Sequence, residues 1–262
     1  MDSKKVEFKQ KVRSLQHICG SHVCLGIPVL TELMGSAGFD YLWIDAEHTT
    51  TSLQDLQYCI AAAENAGAAA LVRVPENDRT FTKKILEMGP GGIIFPMVKT
   101  KDDADRLIAS TIDPPLGNRG FGPLRAVGYG KRDANEYIEH VNEELCRFIQ
   151  IESIEAVDNL PEIVKNPYID GYLFGPCDLS GSLGELNNVF GEKNLAAINR
   201  AIAILKDNGK SIGISTGSTD PEQLAYWHSL GINMISCGAD FSYVLDGAAA
   251  NLKNLRKVQQ PS

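Results

Sequence analysis

The chain has 262 residues, of which 44% are hydrophobic and 22% charged, with a formal net charge of −8. That is the make-up of an ordinary globular protein, long enough to bury a large core without disulfide or metal staples. The acidic balance argues against a nucleic-acid or anionic-membrane partner, since phosphate surfaces call for basic ones. It leaves room for an anionic substrate where one arginine and one cation share a cleft.

Eight apolar or β-branched runs punctuate the chain, at 22–26, 41–47, 70–74, 92–98, 147–152, 171–175, 211–216 and 234–238. Most are continuously apolar rather than alternating, as parallel strands buried on both faces are. Helical patterns fill the gaps. Leu53, Leu56, Ile60 and Ala63 recur at helical spacing, with Ser52 and Asp55 placed for the first turn. Phe81, Ile85 and Met88 form a second stripe, closed by Gly89. Between the fourth and fifth runs lies a proline- and glycine-rich stretch, 113–125, then a helical piece at 133–145. Connections of that length are usually lids or binding loops, the alternative being an insertion that decorates the surface. Residues 196–206 read as a helix ending at Asn208 and Gly209, and Asp220 with Pro221 caps and opens another over 223–230. Alternation with eight strands predicts a single-domain (β/α)8 TIM barrel over 1–262, carrying 113–145 as an inserted loop and helix. A doubly wound open sheet is the rival, but no glycine-rich phosphate turn follows the early strands.

The six cysteines (Cys19, Cys24, Cys59, Cys146, Cys177 and Cys237) show neither a CxxC pair nor zinc-ligand spacing. Four of them sit in or beside apolar runs, where a free thiol behaves as a small hydrophobe. A reducing, cytoplasmic setting is expected, in keeping with a polar N-terminal stretch and no apolar run long enough to span a bilayer.

Four predicted strand ends carry polar groups: Gln150 and Glu152; Cys177, Asp178 and Ser180; Asp45, Glu47 and His48; and Arg73. In one parallel barrel they converge on a single mouth. An ionised carboxylate there is costly unless paired or bound to a cation. Taken singly, Glu152 and Asp178 are better explained as helix caps or as partners of an arginine. Together, at successive strand ends, they favour a divalent metal. Two carboxylates leave coordination positions for water and two substrate oxygens, as metal-assisted enolisation of a 2-oxo acid requires. Arg73 presents a planar fork to a substrate carboxylate or a developing enolate oxygen, or else forms a structural salt bridge to Glu152 or Glu47. His48 suits a general acid or base near neutral pH. The other histidines, His17, His22, His140 and His228, read as structural or exposed. Lys99 is the lysine nearest a strand's C-terminal end, but a solvated run follows it, which disfavours Schiff-base chemistry.

The order and spacing of Asp45, Glu47 and His48, of Val72 and Arg73, and of the segments 84–89, 95–97, 114–120, 150–152 and 175–180 resemble the HpcH/HpaI aldolase family. This is a family of class II, metal-dependent pyruvate aldolases that includes 4-hydroxy-2-oxoheptanedioate aldolase and 2-dehydro-3-deoxyglucarate aldolase. The resemblance spans about Gly20 to Gly238. It implies a (β/α)8 barrel, often hexameric, whose C-terminal helix packs on a neighbouring subunit. It implies Mg2+, Mn2+ or Co2+ on Glu152 and Asp178, His48 as proton acceptor and Arg73 as transition-state stabiliser. Gln150, Cys177 and Asp178 match substrate contacts. Glu87 stands where the family has an aspartate that tunes the histidine, and Cys177 replaces a small residue, often alanine.

The expected activity is reversible cleavage of a 4-hydroxy-2-oxo acid to pyruvate and an aldehyde. Alternatives are a metal-dependent 2-oxo acid decarboxylase or carbon–carbon coupling enzyme, as in the macrophomate synthase branch, and a non-catalytic metal-binding barrel, which Glu87 and Cys177 keep open. An acidic substrate end is expected to meet Arg119 or Arg125 in the inserted loop.

Overall fold

A computed structural model describes residues 2–258. Eight parallel strands close into a barrel in chain order: β1 (Ile18–Val23), β2 (Tyr41–Asp45), β3 (Ala69–Arg73), β4 (Gly92–Phe95), β5 (Cys146–Ile151), β6 (Gly171–Phe174), β7 (Ser211–Thr216) and β8 (Met234–Ala239). The barrel is the one expected from the sequence. The first strand differs, starting at Ile18, because the sheet closes by pairing Ile18 with Met234 and Cys19 with Ile235. Its residues Cys19, Gly20 and Ser21 hid that start, being too small or polar to read as strand.

Among the described residues, eleven α-helices flank the barrel: α1 (Ser3–Arg13), α2 (Pro28–Ser36), α3 (Leu53–Asn65), α4 (Arg79–Glu87), α5 (Lys101–Ala109), α6 (Ala134–Glu144), α7 (Ile154–Ile163), α8 (Pro176–Ser182), α9 (Glu192–Asp207), α10 (Pro221–Ser229) and α11 (Asp240–Val258). A capping box opens α3: the Ser52 side chain accepts from the Asp55 N–H, and the Asp55 carboxylate accepts from the Ser52 N–H. Helix α4 is turned relative to the sequence reading. Its buried face is Thr82, Ile85 and Leu86, whereas Phe81 is exposed, because Leu86 shares the contact with Ile85 and moves Phe81 to the flank.

Two apolar layers hold the fold. Inside the barrel, Trp43, Leu71, Ile94, Phe148, Leu173 and Met234 pack with Phe8 and Val12, which α1 delivers from the strand-start end. Outside it, alternate strand residues such as Leu42, Val72, Ile149 and Tyr172 pack against the helices. The polar strand ends are thereby left at the other opening.

The insertion does not form a lid on this opening. It follows α5, which has already returned the chain to the strand-start end, and leads directly into β5. Arg125 there donates to the Met88 carbonyl and to Glu64, groups at the ends of α4 and α3. The segment decorates the barrel's stability face.

Candidate active site

At the C-terminal ends of the strands, Arg73 lies level with Asp45 on the neighbouring strand. Its Nε donates to Asp45 Oδ1 at 2.9 Å and its Nη2 to Oδ2 at 2.8 Å. Glu47 Oε2 lies 2.9 Å from Nη1 but is not aligned for a hydrogen bond. A guanidinium carries five N–H groups, so three remain without a hydrogen bond. Burial would raise the pKa of Asp45, but the Arg73 bonds and charge and the Glu47 N–H hold it below the ordinary carboxylate value. The guanidinium also stands over Trp43, 5.4 Å from its ring centroid.

Sequence reasoning offered Glu152 or Glu47 as structural partners of Arg73. The structure confirms Glu47 and adds the stronger one, Asp45. The signal was present: Asp45 and Arg73 both close their strands, and the strands are adjacent.

His48 follows β2 with its side chain 67% exposed and its Nε2 3.6 Å from Glu47 Oε2. The ring is therefore open to a molecule in the mouth while one nitrogen faces a carboxylate.

Glu152 sits deeper, at 4% exposure. Its Oε2 accepts from the Met97 N–H at 2.8 Å and its Oε1 from Gln150 Nε2 at 2.8 Å. Met97 has φ 52°, a left-handed conformation uncommon outside glycine, and its N–H meets the carboxylate. No lysine or arginine pairs directly with Glu152 among the described residues. Burial, then the charges of Glu47 and Asp178, raise its pKa to about 7 against the pull of Met97 and Arg73. Gly175 makes the placement feasible: a Cβ there would stand 2.5 Å from Glu152 Oε1.

Asp178 lies in the first turn of α8, exposed and without a hydrogen bond among the described residues. Its charge raises the pKa of both Glu152 and Glu47, which brings it into the same cluster. Cys177 is exposed with Sγ 3.8 Å from Asn187 Oδ1. Partial burial of the thiol and the charge of Asp178 push its pKa up, which disfavours the nucleophilic thiolate.

The cluster fits a divalent cation. Burial raises the pKa of Glu47, and Asp45 and Asp178 add to the rise against Arg73 and His48. Gln150 Oε1 is a buried acceptor with no partner. Carboxylates that raise one another's pKa, one of them unpaired and buried, are the oxygen donors a hard cation takes. Glu152 and Asp178 would hold it. Among the described residues no group of three or more His, Cys, Asp or Glu forms a metal cage; two carboxylates leave the other positions to water and substrate.

Three expected residues lie elsewhere. Glu87 ends α4 at the strand-start end, where its Oε1 accepts from Arg119 Nη2 at 3.4 Å. The barrel separates it from His48, so the histidine-tuning contact implied by resemblance is not made within one chain. Arg119 is 2% exposed and also donates to the Tyr137 hydroxyl at 2.9 Å. Together with Arg125 it belongs to the opposite end, and neither reaches the mouth of its own chain.

Among known proteins, the HpcH/HpaI aldolase/citrate lyase family profile matches residues 20–246. A 2-keto-3-deoxy-L-rhamnonate aldolase of Escherichia coli O17:K52:H18 (strain UMN026 / ExPEC) is 32% identical over 253 residues, covering 94% of this chain and 93% of that protein. An HpcH/HpaI aldolase/citrate lyase family protein from Burkholderia cenocepacia J2315 superposes with a TM-score of 0.89 at 29% identity, over 95% of this chain and 99% of that one. An HpcH/HpaI aldolase from Desulfitobacterium hafniense DCB-2 gives 0.88 at 25% identity, over 97% of each chain. With the fold, the order of the motifs and the length of the match in agreement, the chain belongs to the HpcH/HpaI aldolase/citrate lyase family and is a carbon–carbon lyase.

Proposed function

We propose that the protein is a class II pyruvate aldolase that reversibly cleaves a 4-hydroxy-2-oxo acid to pyruvate and an aldehyde. The observation that carries this reading is the buried Glu152, whose oxygens meet the Met97 N–H and Gln150 but, among the described residues, no lysine or arginine, in a mouth with an arginine that keeps three N–H groups without a hydrogen bond. Aldolases of this family are generally dependent on a divalent metal; here Mg2+, Mn2+ or Co2+ would be held by Glu152 and Asp178 and would supply Lewis-acid stabilisation of charge on the 2-oxo oxygen. Arg73 binds and orients the pyruvyl carboxylate with its unbound N–H groups. Asp45 keeps that fork in place. His48 takes the proton of the C4 hydroxyl as the C3–C4 bond breaks and the aldehyde forms, and a proton is delivered to C3 to complete pyruvate; addition runs these transfers in reverse, with Glu47 stabilising the charged ring. Gln150 keeps Glu152 in place through Nε2 and offers its unfilled Oε1 as an acceptor. Asp178 and Cys177 line the substrate side.

Incubation with pyruvate and Mn2+ in D2O tests the reading without knowledge of the aldehyde. The methyl proton signal is expected to decay, chelation to stop the decay, and Glu152→Ala to slow it by at least about 100-fold. Exchange at the parent rate in Glu152→Ala would remove Glu152 from the site.

We infer that the aldehyde half is neutral. With Arg119 and Arg125 engaged at the other end of the barrel, the loop cations expected to read a second carboxylate are elsewhere. A 2-keto-3-deoxy-L-rhamnonate aldolase is named for a substrate with an uncharged tail. Addition of pyruvate to lactaldehyde is expected to exceed addition to succinate semialdehyde by about tenfold or more in kcat/KM, on the cost of leaving a carboxylate unpaired in the site. The reverse preference would restore the acidic-substrate reading.

A further inference from the structure

Arg73 is constrained from two sides, and the acidic side is only one of them. Its two hydrogen bonds to Asp45 lie in the guanidinium plane. They fix the fork along one edge, and the Glu47 carboxylate 2.9 Å from Nη1 attracts the other, but neither touches the flat face or fixes the tilt of the plane. A contact on the flat face removes that freedom, and Trp43 supplies it at 5.4 Å, within the range of a cation–π interaction.

Trp43 is an odd choice for a space-filler. It is 1% exposed, and its indole N–H has no acceptor. A buried donor without a partner is a cost that leucine or phenylalanine would avoid. Behind it lies His22, paired with Trp43 in the β1–β2 register, with ring centroids 5.5 Å apart and planes at 51°. His22 is itself held at both nitrogens. Nδ1 is 2.8 Å from the Gly238 carbonyl, which can only accept, so Nδ1 carries the proton. Nε2 is then the acceptor, 2.9 Å from Ser215 Oγ and 3.2 Å from Ser236 Oγ. Burial, opposed by the Gly238 bond and aided by Arg73, keeps the ring below the ordinary histidine pKa against the pull of Asp45 and Asp240. A neutral ring in one tautomer thus backs the indole, on strands running from β7 through β8 and β1 to β2.

We propose that Trp43 and His22 are positioning residues for Arg73: the histidine fixes the indole, and the indole fixes the tilt of the guanidinium and hence the direction of its unbound N–H groups. The inference rests on the pyruvate aldolase reading for the use of those groups, but it is measurable as ligand affinity alone.

The test compares a shape-matched loss with a conservative replacement at each position. Calorimetry with Mg2+ present would give the pyruvate Kd of the parent and of Trp43→Leu, Trp43→Phe, His22→Leu and His22→Gln; Mn2+ affinity and thermal midpoint would be measured beside it. Trp43→Leu and His22→Leu are expected to weaken pyruvate binding by about tenfold, the scale of a desolvated cation–π contact, with Mn2+ affinity unchanged. Trp43→Phe, which keeps an aromatic face, and His22→Gln, which keeps a donor and an acceptor, are expected to stay within about threefold of the parent. Equal losses in Trp43→Leu and Trp43→Phe would reduce the indole to core filling and overturn the proposal. So would a loss of Mn2+ affinity matching the loss of pyruvate affinity, and so would a parent that binds no pyruvate. A parent that binds pyruvate but exchanges no methyl protons would sink the aldolase reading while the Trp43 series still decides this one.

Discussion

At the scale of single residues, the site depends on a side chain that is missing. The backbone of Gly175 runs so close to Glu152 that a methyl group there would fall 2.5 Å from Oε1. The φ at this position is −103°, which any residue adopts, so the demand is for space and not for backbone freedom. The three nearest atoms, Oε1 at 2.5 Å, Cγ at 2.8 Å and Cδ at 3.1 Å, all belong to the Glu152 side chain and none to backbone, so Gly175→Ala displaces that side chain and its carboxylate and spares the barrel. We expect the variant to keep its thermal midpoint within a few degrees and to lose at least about tenfold in Mn2+ affinity, in the range seen when groups supporting a metal ligand are removed. Unchanged affinity would mean that Glu152 has slack at this position. Charged residues at strand ends were legible in the sequence because burial makes an unpaired charge costly wherever it stands. Gly175 and the Met97 N–H were not. The first acts through register, the second through one left-handed dihedral, and neither leaves a mark on composition or spacing.

At the scale of elements, the strand–helix alternation was readable because each strand is buried on both faces and each outer helix on one. What the pattern could not supply was the end of the barrel at which a segment lies. The stretch 113–145 reads as a lid or binding loop or as a surface insertion; it is the insertion, lying outside the barrel along α4, where the Asn118 carbonyl accepts from Arg79 and Arg125 donates to the Met88 carbonyl, because it follows a helix rather than a strand. Helix α1 closes the strand-start end. Its Phe8 and Val12 enter the inner core, while Lys9 Nζ donates to Asp170 Oδ2 at 3.0 Å, to the Leu145 carbonyl at 2.6 Å and to the Asn142 carbonyl at 2.9 Å. Asp170 also accepts from Arg13 Nε at 2.8 Å and from the Arg147 N–H at 2.9 Å. A buried charge with every partner satisfied is tolerable where an unsatisfied one is not. The two ends thus solve the same electrostatic problem differently. At the closed end cations from the chain neutralise the carboxylate; at the open end Glu152 is left for an external cation.

At the scale of the whole molecule, α11 is out of keeping with a solitary barrel. It runs for 19 residues, and Asp240 is its only buried residue. Phe241, Leu245, Ala248, Leu252 and Leu255 fall four, three, four and three residues apart, on one face, and all are exposed. Nearby, α2 leaves Val29 and Leu33 exposed as well. In proteins most helical stability comes from packing an amphipathic face, and an apolar stripe of this kind is stabilised by packing against another surface. The resemblance seen in the sequence assigns that surface to a neighbouring subunit, and the exposed stripe supports the same proposal. Sedimentation is expected to give a multiple of the chain mass for the parent. Leu245→Glu combined with Leu252→Glu places two charges on the stripe and is expected to yield monomers with reduced helical content, because α11 loses its support together with the contact. A parent that sediments as a monomer would overturn the assembly; a double variant that stays assembled would move the interface to another face. Pyruvate exchange measured on the dissociated variant then shows whether the mouth, built from eight strands of one chain, works alone or needs the neighbour that α11 engages.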